Sequence, residues 1–235
     1  MVKKRYNLDQ VTGHYSKILV DTSFLRPLGY NECRNYVKFK LRDFDESNRV
    51  VEKEVVSDRI EIAKTICYYL ESGDGHFYFT KGVLEEIATS ERNFNYKKIV
   101  RFAGGNCSKN KQDFLMLLQE LKKAKSKLIR LVQEKEKVVS EEDIKEYQSI
   151  LYNHRDLFDE FKLSEVDADL LAKAIYLVSE RNKTAICSND FGLLNAWKSF
   201  CLKNQMTQNS FGFFLRMAHQ DLEMGFFGRA PVVAR

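Results

Sequence analysis

The chain has 235 residues, of which 44% are hydrophobic and 30% charged. This composition is typical of a globular chain and excludes a largely disordered one, while the length allows one enlarged domain or two small ones. The 38 Lys and Arg residues exceed the 33 Asp and Glu residues by five. Such a small positive excess permits a nucleic-acid or headgroup partner without requiring either. Only two prolines and 11 glycines are present, which excludes collagen-like and proline-rich chains.

The sequence contains no sign of a membrane span or a secretory signal. No stretch approaches the roughly 18 uninterrupted apolar residues that a membrane helix needs, and the basic residues 1–9 have no apolar stretch behind them. The five cysteines form an odd number without a C-x-x-C pair, and Cys67 and Cys187 lie inside apolar patterns. We therefore predict a cytoplasmic protein with reduced thiols and no membrane partner.

Short apolar stretches typical of strands buried on both faces alternate with stretches whose apolar residues recur every three to four residues, as in helices. In chain order these patterns predict a strand over 17–20, a helix from Ser57 to Ser72, a strand over 76–79, a helix capped by Thr80, helices over 111–137 and 141–161, a helix capped by Ser164, and a strand over 184–187. The alternation predicts an α/β fold with a mostly parallel central sheet. Residues 36–56 give no clear assignment.

The two consecutive long helices follow a clear loop at Gly104-Gly105-Asn106. We expect them to pair as an antiparallel helical hairpin inserted over residues 106–162 of a single domain spanning 1–235. Residues 201–235 carry five phenylalanines without a clear period and are predicted to form an aromatic-rich extension. Packing on the core is the favoured role of this extension, and oligomerisation or binding of a protein partner is the alternative.

Four acids occupy conspicuous positions in this pattern. Asp21 and Asp190 each follow a predicted buried strand at its carboxyl end, the edge where open α/β sheets bind ligands. Asp167 lies in the first turn of the helix that precedes the Asp190 strand, and Glu86 lies early in the helix after the strand over 76–79. Each also has a structural alternative as a turn residue, a helix cap, part of a capping box or a solvated helix residue.

Taken together, several carboxylates at one sheet edge would repel one another and raise one another's pKa values. A divalent cation removes that cost. No histidine or cysteine has matching ligand spacing, so an oxygen-only site favours Mg²⁺ or Mn²⁺ over zinc.

Four segments resemble, in order, the motifs of PIN-domain ribonucleases. They are Ile18-Leu-Val-Asp-Thr-Ser-Phe-Leu25, Val83-Leu-Glu-Glu-Ile87, Leu163-Ser-Glu-Val-Asp-Ala-Asp-Leu-Leu-Ala-Lys-Ala174, and Ile186-Cys-Ser-Asn-Asp-Phe191. The resemblance covers residues 17–30, 76–92 and 163–200. The long helical insertion is also similar in layout to protein-only RNase P relatives with PIN-like catalytic domains.

The resemblance implies a PIN-like three-layer domain that hydrolyses RNA phosphodiester bonds with metal-activated water. It implies that the catalytic and metal-binding acids are Asp21, Glu86, Asp167 and Asp190, with Asp169 as an alternative ligand in the third motif. Thr22 and Ser188 would be hydroxyls that orient these carboxylates. Two alternatives stay open: a catalytically silent PIN-like module that binds RNA or a protein, and a nuclease that acts on DNA.

Charge is distributed unevenly along the chain. Residues 97–140 contain 12 Lys and Arg against four Asp and Glu, a net of +8, while the rest has 26 against 29, a net of −3. A helix rich in basic residues is predicted to contact the RNA backbone, with a solvated helix face as the alternative. The predicted RNA-binding residues are Lys122, Lys123, Lys125, Lys127 and Arg130.

Overall fold

The structure is a computed structural model that describes residues 11–25, 46–73, 76–92, 109–140, 144–204, 212–218 and 221–227. The strands of its sheet are β1 Lys17–Val20, β2 Phe77–Thr80, β3 Val138–Val139, β4 Thr184–Ser188, β5 Gly212–Ala218 and β6 Asp221–Phe227. Within the described residues they form one six-stranded sheet in the order β3-β2-β1-β4-β5-β6. Neighbouring strands are parallel except for β6, which is antiparallel to β5.

The helices alternate with these strands along the chain. They are α1 Thr22–Leu25, α2 Glu46–Ser72, α3 Lys81–Arg92, α4 Lys109–Glu134, α5 Tyr147–Asn153, α6 Arg155–Glu160, α7 Glu165–Ser179 and α8 Phe191–Lys203. The predicted α/β class with a mostly parallel sheet is therefore confirmed. None of the described helices combines the length and apolar character needed to cross a membrane.

The buried residues of the central strand β1 are apolar, which explains why this strand is a clear signal in the sequence. Ile18, Leu19 and Val20 of β1 are all 0% exposed, because β1 lies between β2 and β4. Burying each such side chain stabilises the fold by about 1.5–3 kcal/mol. Trp197 of α8 is also fully buried in this core. The aspartates that follow β1 and β4 are therefore attached to a well-packed core.

The predicted hairpin over 106–162 is wrong, because among the described residues of this range α4 packs along α2 and not along α5 or α6. The Cys67 Sγ–H donates to the Ala124 carbonyl oxygen at 3.9 Å, and Lys127 Nζ lies 2.8 Å from Glu71 Oε1. An amphipathic pattern identifies the buried face of a helix but not the partner that covers it, so adjacency in sequence was a poor guide here.

The predicted helix over 141–161 is instead two short helices, α5 and α6, separated at His154. They pack on α7 and α8: Tyr147 Oη donates to Asp169 Oδ1 at 2.6 Å, and the His154 ring meets Phe200 edge-on with centroids 5.2 Å apart. These contacts place the insertion against the helices that carry the candidate acids.

Three further features differ from the predictions. Helix α2 begins at Glu46, so Ser57 lies inside a helix and is not its N-cap. The strand β3 was not predicted, since two residues are too few to show periodicity. The aromatic-rich segment contributes β5 and β6 to the sheet, with Phe213 opposite Phe226, so part of it belongs to the sheet itself. The predicted loop at 104–106 lies outside the described residues.

Candidate functional site

Asp21 follows β1 at the carboxyl end of the sheet. The parallel register pairs Val20 with Cys187, and the Asp21 backbone N–H donates to the Cys187 carbonyl oxygen at 2.9 Å. This register places Asp21 beside Ser188, the last residue of β4. Asp21 is buried, with only 4% of its surface exposed.

Two serine hydroxyls hold the Asp21 carboxylate in place. Its Oδ2 accepts hydrogen bonds from Ser188 Oγ at 2.7 Å, from the Ser23 backbone N–H at 3.2 Å and from Ser23 Oγ. The Asn189 backbone N–H in turn donates to Ser23 Oγ at 2.8 Å. Burial raises the pKa of Asp21 above its ordinary value, and the hydrogen bonds from Ser23, Ser188 and the Thr22 backbone only partly offset that rise.

Ser23 takes the role predicted for Thr22. The predicted contact of Ser188 with the carboxylate is present, but Thr22 Oγ1 is buried and makes no hydrogen bond within the described residues. The sequence Asp21-Thr22-Ser23 offered two hydroxyls. A serine two residues after an aspartate is well placed to close a local turn onto its carboxylate, and that spacing is the signal that favours Ser23.

Asp190 is linked to Asp21 through Ser188. The Asp190 backbone N–H donates to Ser188 Oγ at 2.8 Å, and Asp190 Oδ1 accepts from the Leu193 backbone N–H at 3.1 Å as the N-cap of α8. The predicted capping alternative for Asp190 is therefore confirmed. A cap of this kind fixes the direction of the side chain and still leaves it next to the β4 end.

Asp167 completes a group of three interacting aspartates. At the start of α7, Ser164 Oγ accepts from the Asp167 backbone N–H at 3.1 Å and donates to Asp167 Oδ2 at 2.6 Å, so the two residues cap the helix reciprocally. Burial raises the pKa of Asp167 to about 6, the hydrogen bonds from Ser164 oppose the rise, and the charges of Asp21 and Asp190 add to it. Asp21 and Asp190 are thus close enough to Asp167 to act on its ionisation.

Glu86 lies on the helix that adjoins this group. A Cβ added at Gly82, in the first turn of α3, would lie 3.2 Å from Val166 Cγ2, so α3 begins against the start of α7. Glu86 is half-buried, whereas Glu85 is exposed and lies 4.0 Å from Lys81 Nζ. Burial therefore favours Glu86 over Glu85 as the acid of α3 that adjoins the aspartates. The charges that act on Asp167, however, are those of Asp21 and Asp190.

Asp169 belongs to a different network. Its Oδ1 accepts from Tyr147 Oη at 2.6 Å and lies 2.6 Å from Lys173 Nζ, which also donates to Oδ2 at 2.8 Å. The Lys173 side chain is 2% exposed, so this ammonium group neutralises Asp169 inside the protein. Asp167 is consequently the better candidate ligand, as its match to the third motif predicts.

The basic face of α4 is narrower than the sequence predicts. Lys122, Lys123, Lys127 and Arg130 are exposed, and with Gln119 and Ser126 they line an open depression of about 670 Å³. Lys125 is only 6% exposed, because helical periodicity places it on the packed side with Ala124 and Leu128. The prediction that Lys125 binds RNA is therefore wrong.

Two of these four exposed basic residues form ion pairs. Lys127 is paired with Glu71, and Arg130 Nε lies 3.5 Å from Glu134 Oε1. Lys122 and Lys123 make no ion pair with any residue in the described part of the chain.

The three aspartates supply an oxygen-only donor group suited to a hard divalent cation. Among the described residues, however, no three His, Cys, Asp or Glu side chains are grouped so that they could hold a metal ion as they stand. The aspartates share an electrostatic environment but would have to turn toward one another to share an ion. No known protein family, curated protein or solved structure matches the chain.

Proposed function

We propose that the protein is a metal-dependent endoribonuclease of PIN-like fold whose acidic centre is formed by Asp21, Asp167 and Asp190, with Glu86 adjoining. The observation that carries the proposal is that Ser188 Oγ bonds both Asp21 Oδ2 and the Asp190 backbone N–H at the carboxyl end of the central strands. Burial raises the pKa of Asp167 to about 6, and the charges of Asp21 and Asp190 add to that rise. Carboxylates that destabilise one another at a sheet edge are expected where a cation binds. The four PIN-like motifs supply the same residues.

The donor chemistry supports Mg²⁺ or Mn²⁺ at this centre. A divalent ion bound there would lower the pKa of a bound water and stabilise charge on the attacked phosphate. Rotation about χ1 and χ2 is the movement that would bring the aspartate oxygens together. Asp21 is the least free to move, because Ser23 and Ser188 hold its Oδ2. We therefore expect Asp167 and Asp190 to turn toward Asp21, at the cost of the hydrogen bonds from Ser164 and Leu193 that now hold their side chains.

The substrate would be held by backbone charge. The exposed Lys122 and Lys123 present two ammonium groups that can contact successive phosphates, and Arg130 extends the same helix face. RNA is proposed over DNA on the strength of the motif resemblance. A protein with both a basic face and an acidic centre suits a polyanion that is bound at one place and cleaved at another.

The direct test is cleavage of end-labelled RNA and single-stranded DNA in Mn²⁺, Mg²⁺ or EDTA. We expect metal-dependent cleavage of RNA that is lost in Asp21→Asn. Glu86→Gln should reduce the rate by at least about tenfold, whereas its neighbour Glu85→Gln, an exposed matched control, should leave it unchanged.

Each other outcome has a distinct meaning. Cleavage that survives EDTA or Asp21→Asn contradicts the proposal. Cleavage of DNA alone reassigns the substrate, and RNA binding without cleavage identifies a silent PIN-like module.

A further inference from the structure

A second polar cluster lies at the other end of the central strands. Lys17 is the first residue of β1, Tyr78 is in β2, and Lys137 directly precedes β3. The register pairs Leu19 with Tyr78, so Lys17, two residues before Leu19, is on the same face of the sheet as Tyr78. The register of β2 with β3 sets Lys137 beside Tyr78 in the same way. Three neighbouring strands thus bring these side chains together.

Both lysines contact the same phenol. Lys17 Nζ donates to Tyr78 Oη at 2.5 Å and lies 4.1 Å from the centre of the ring. Lys137 Nζ donates to the same oxygen at 3.4 Å and lies 4.8 Å from the ring centre. The two ammonium nitrogens are therefore no more than about 5.9 Å apart, the sum of the two distances to Oη.

Two cations at this separation repel each other unless an anion lies between them. All three side chains are half-buried, which reduces screening by water and still leaves them accessible. Lys17 has no carboxylate within ion-pair distance among the described residues. Burial raises the pKa of Tyr78, but the hydrogen bond and charge of Lys17 and those of Lys137 outweigh it, so this pKa lies below its ordinary value. The surroundings of the phenol are therefore electropositive, which strengthens its O–H as a hydrogen-bond donor.

We propose that Lys17, Tyr78 and Lys137 form a binding site for a phosphate group. Tyr78 Oη accepts from both lysines, so its own O–H is directed away from them and can donate to a third group. The O–H and the two ammonium groups place hydrogen-bond donors and two positive charges around one oxygen atom, which match a phosphate dianion better than a carboxylate. Asp21 follows the opposite end of β1, so this site is separate from the acidic centre and does not depend on the proposed function.

The phosphate can belong to a free anion or to the end of a nucleic-acid strand, and calorimetric titration in EDTA distinguishes these sources. The probes are inorganic phosphate, AMP, and one RNA oligonucleotide with either a 5′-phosphate or a 5′-hydroxyl, all at matched ionic strength. EDTA keeps metal-bridged binding at the acidic centre out of the measurement. We expect at least one phosphate probe to bind with a dissociation constant below ~1 mM. Preference for the 5′-phosphorylated oligonucleotide over its 5′-hydroxyl form and over inorganic phosphate assigns the site to a strand end, and equal binding of the small anions assigns it to free phosphate.

The variants distinguish phosphate binding at this site from nonspecific attraction by positive charge. Lys17→Met and Tyr78→Phe should each weaken phosphate binding by about tenfold or more, because each removes a donor to a charged group. Lys183→Met is the matched control, since Lys183 is exposed and precedes β4 at the same edge of the sheet. Equal weakening by Lys17→Met and Lys183→Met, or no binding of any probe at ~10 mM, roughly ten times the expected constant, overturns the proposal. Circular dichroism spectra that match the parent show that each variant is folded.

Discussion

Ser188 Oγ donates a hydrogen bond to Asp21 Oδ2 at 2.7 Å, although 167 positions separate the two residues in the chain. The same hydroxyl oxygen accepts from the Asp190 backbone N–H at 2.8 Å. Ser188 is fully buried, because β4 lies directly beside β1. One buried hydroxyl therefore connects two of the three aspartates that form the acidic centre.

Ser188→Ala should lower the free energy of unfolding by about 1–3 kcal/mol, because it removes a donor to a buried carboxylate. Urea denaturation at pH 7 measures the change. Ser179→Ala is the control, since Ser179 is exposed and bonds only the Tyr176 carbonyl oxygen among the partners described. If both substitutions cost the same, the Ser188–Asp21 hydrogen bond contributes nothing specific.

Asp167→Asn should stabilise the fold at pH 7.5. A carboxyl group whose pKa rises from 3.8 to about 6 on folding holds its proton more tightly in the folded chain. The parent should therefore lose stability as the pH rises from about 4 to about 6, by roughly 1–2 kcal/mol once solvent screening of this half-buried group is included. The asparagine variant, which can still accept from Ser164, should lack that loss.

Unfolding free energies between pH 4 and pH 8, without divalent ions, test this expectation. Asp159→Asn, at an exposed position on α6, is the matched control and should follow the parent. A parent whose stability rises between pH 4 and pH 6 to the same extent as Asp167→Asn would contradict the assigned pKa shift.

Lys173→Met should lower the free energy of unfolding by about 2–4 kcal/mol, because it leaves Asp169 ionised without its buried partner. A double-mutant cycle with Asp169→Asn separates the pair from the individual side chains. We expect Lys173→Met to be much less harmful when Asp169 is already neutral. Additive effects of the two substitutions would mean that the ion pair does not stabilise α7.

Lys122→Gln with Lys123→Gln should weaken RNA binding and make it less sensitive to salt. Each lost phosphate contact reduces the slope of log affinity against log salt by ~0.7 for a single strand, so the pair should reduce it by ~1.4. Fluorescence anisotropy in EDTA measures binding without cleavage. Lys135→Gln with Lys145→Gln removes the same charge from exposed positions outside the proposed face and should leave the slope unchanged.

The sequence was sufficient for the central strands and the capped helices. Residues 18–20 of β1 and 185–187 of β4 are continuous apolar segments, and Ser164 and Asp190 cap helices as their positions predict. These features depend on local residues, so a local pattern identifies them. The aspartates that follow the strands were found for the same reason.

The partner of a long helix depends on distant parts of the chain. The pairing of α4 with α2 is set by the shape of two helix faces, which periodicity does not encode. By contrast, the burial of Lys125 follows from local periodicity, since Leu121, Ala124 and Leu128 mark the packed side of α4. Lys125 was expected on the surface because the prediction counted the charges of the helix and not its buried face. The choice of Ser23 over Thr22 at Asp21 also has a local signal, the turn that Ser23 closes onto the carboxylate, and the Asn189 N–H of another loop bonds the same hydroxyl.

Calorimetric titration with Mn²⁺ tests the acidic centre most directly. At pH 6 the Asp167 carboxyl is about half protonated, so ion binding should release roughly half a proton, seen as a dependence of the binding enthalpy on the buffer. That release should decline toward zero by pH 8. We predict binding in the parent that is lost or at least about tenfold weaker in Asp21→Asn and Asp167→Asn. Absence of binding at millimolar Mn²⁺, or binding that both substitutions leave unchanged, would contradict a metal site formed by these aspartates.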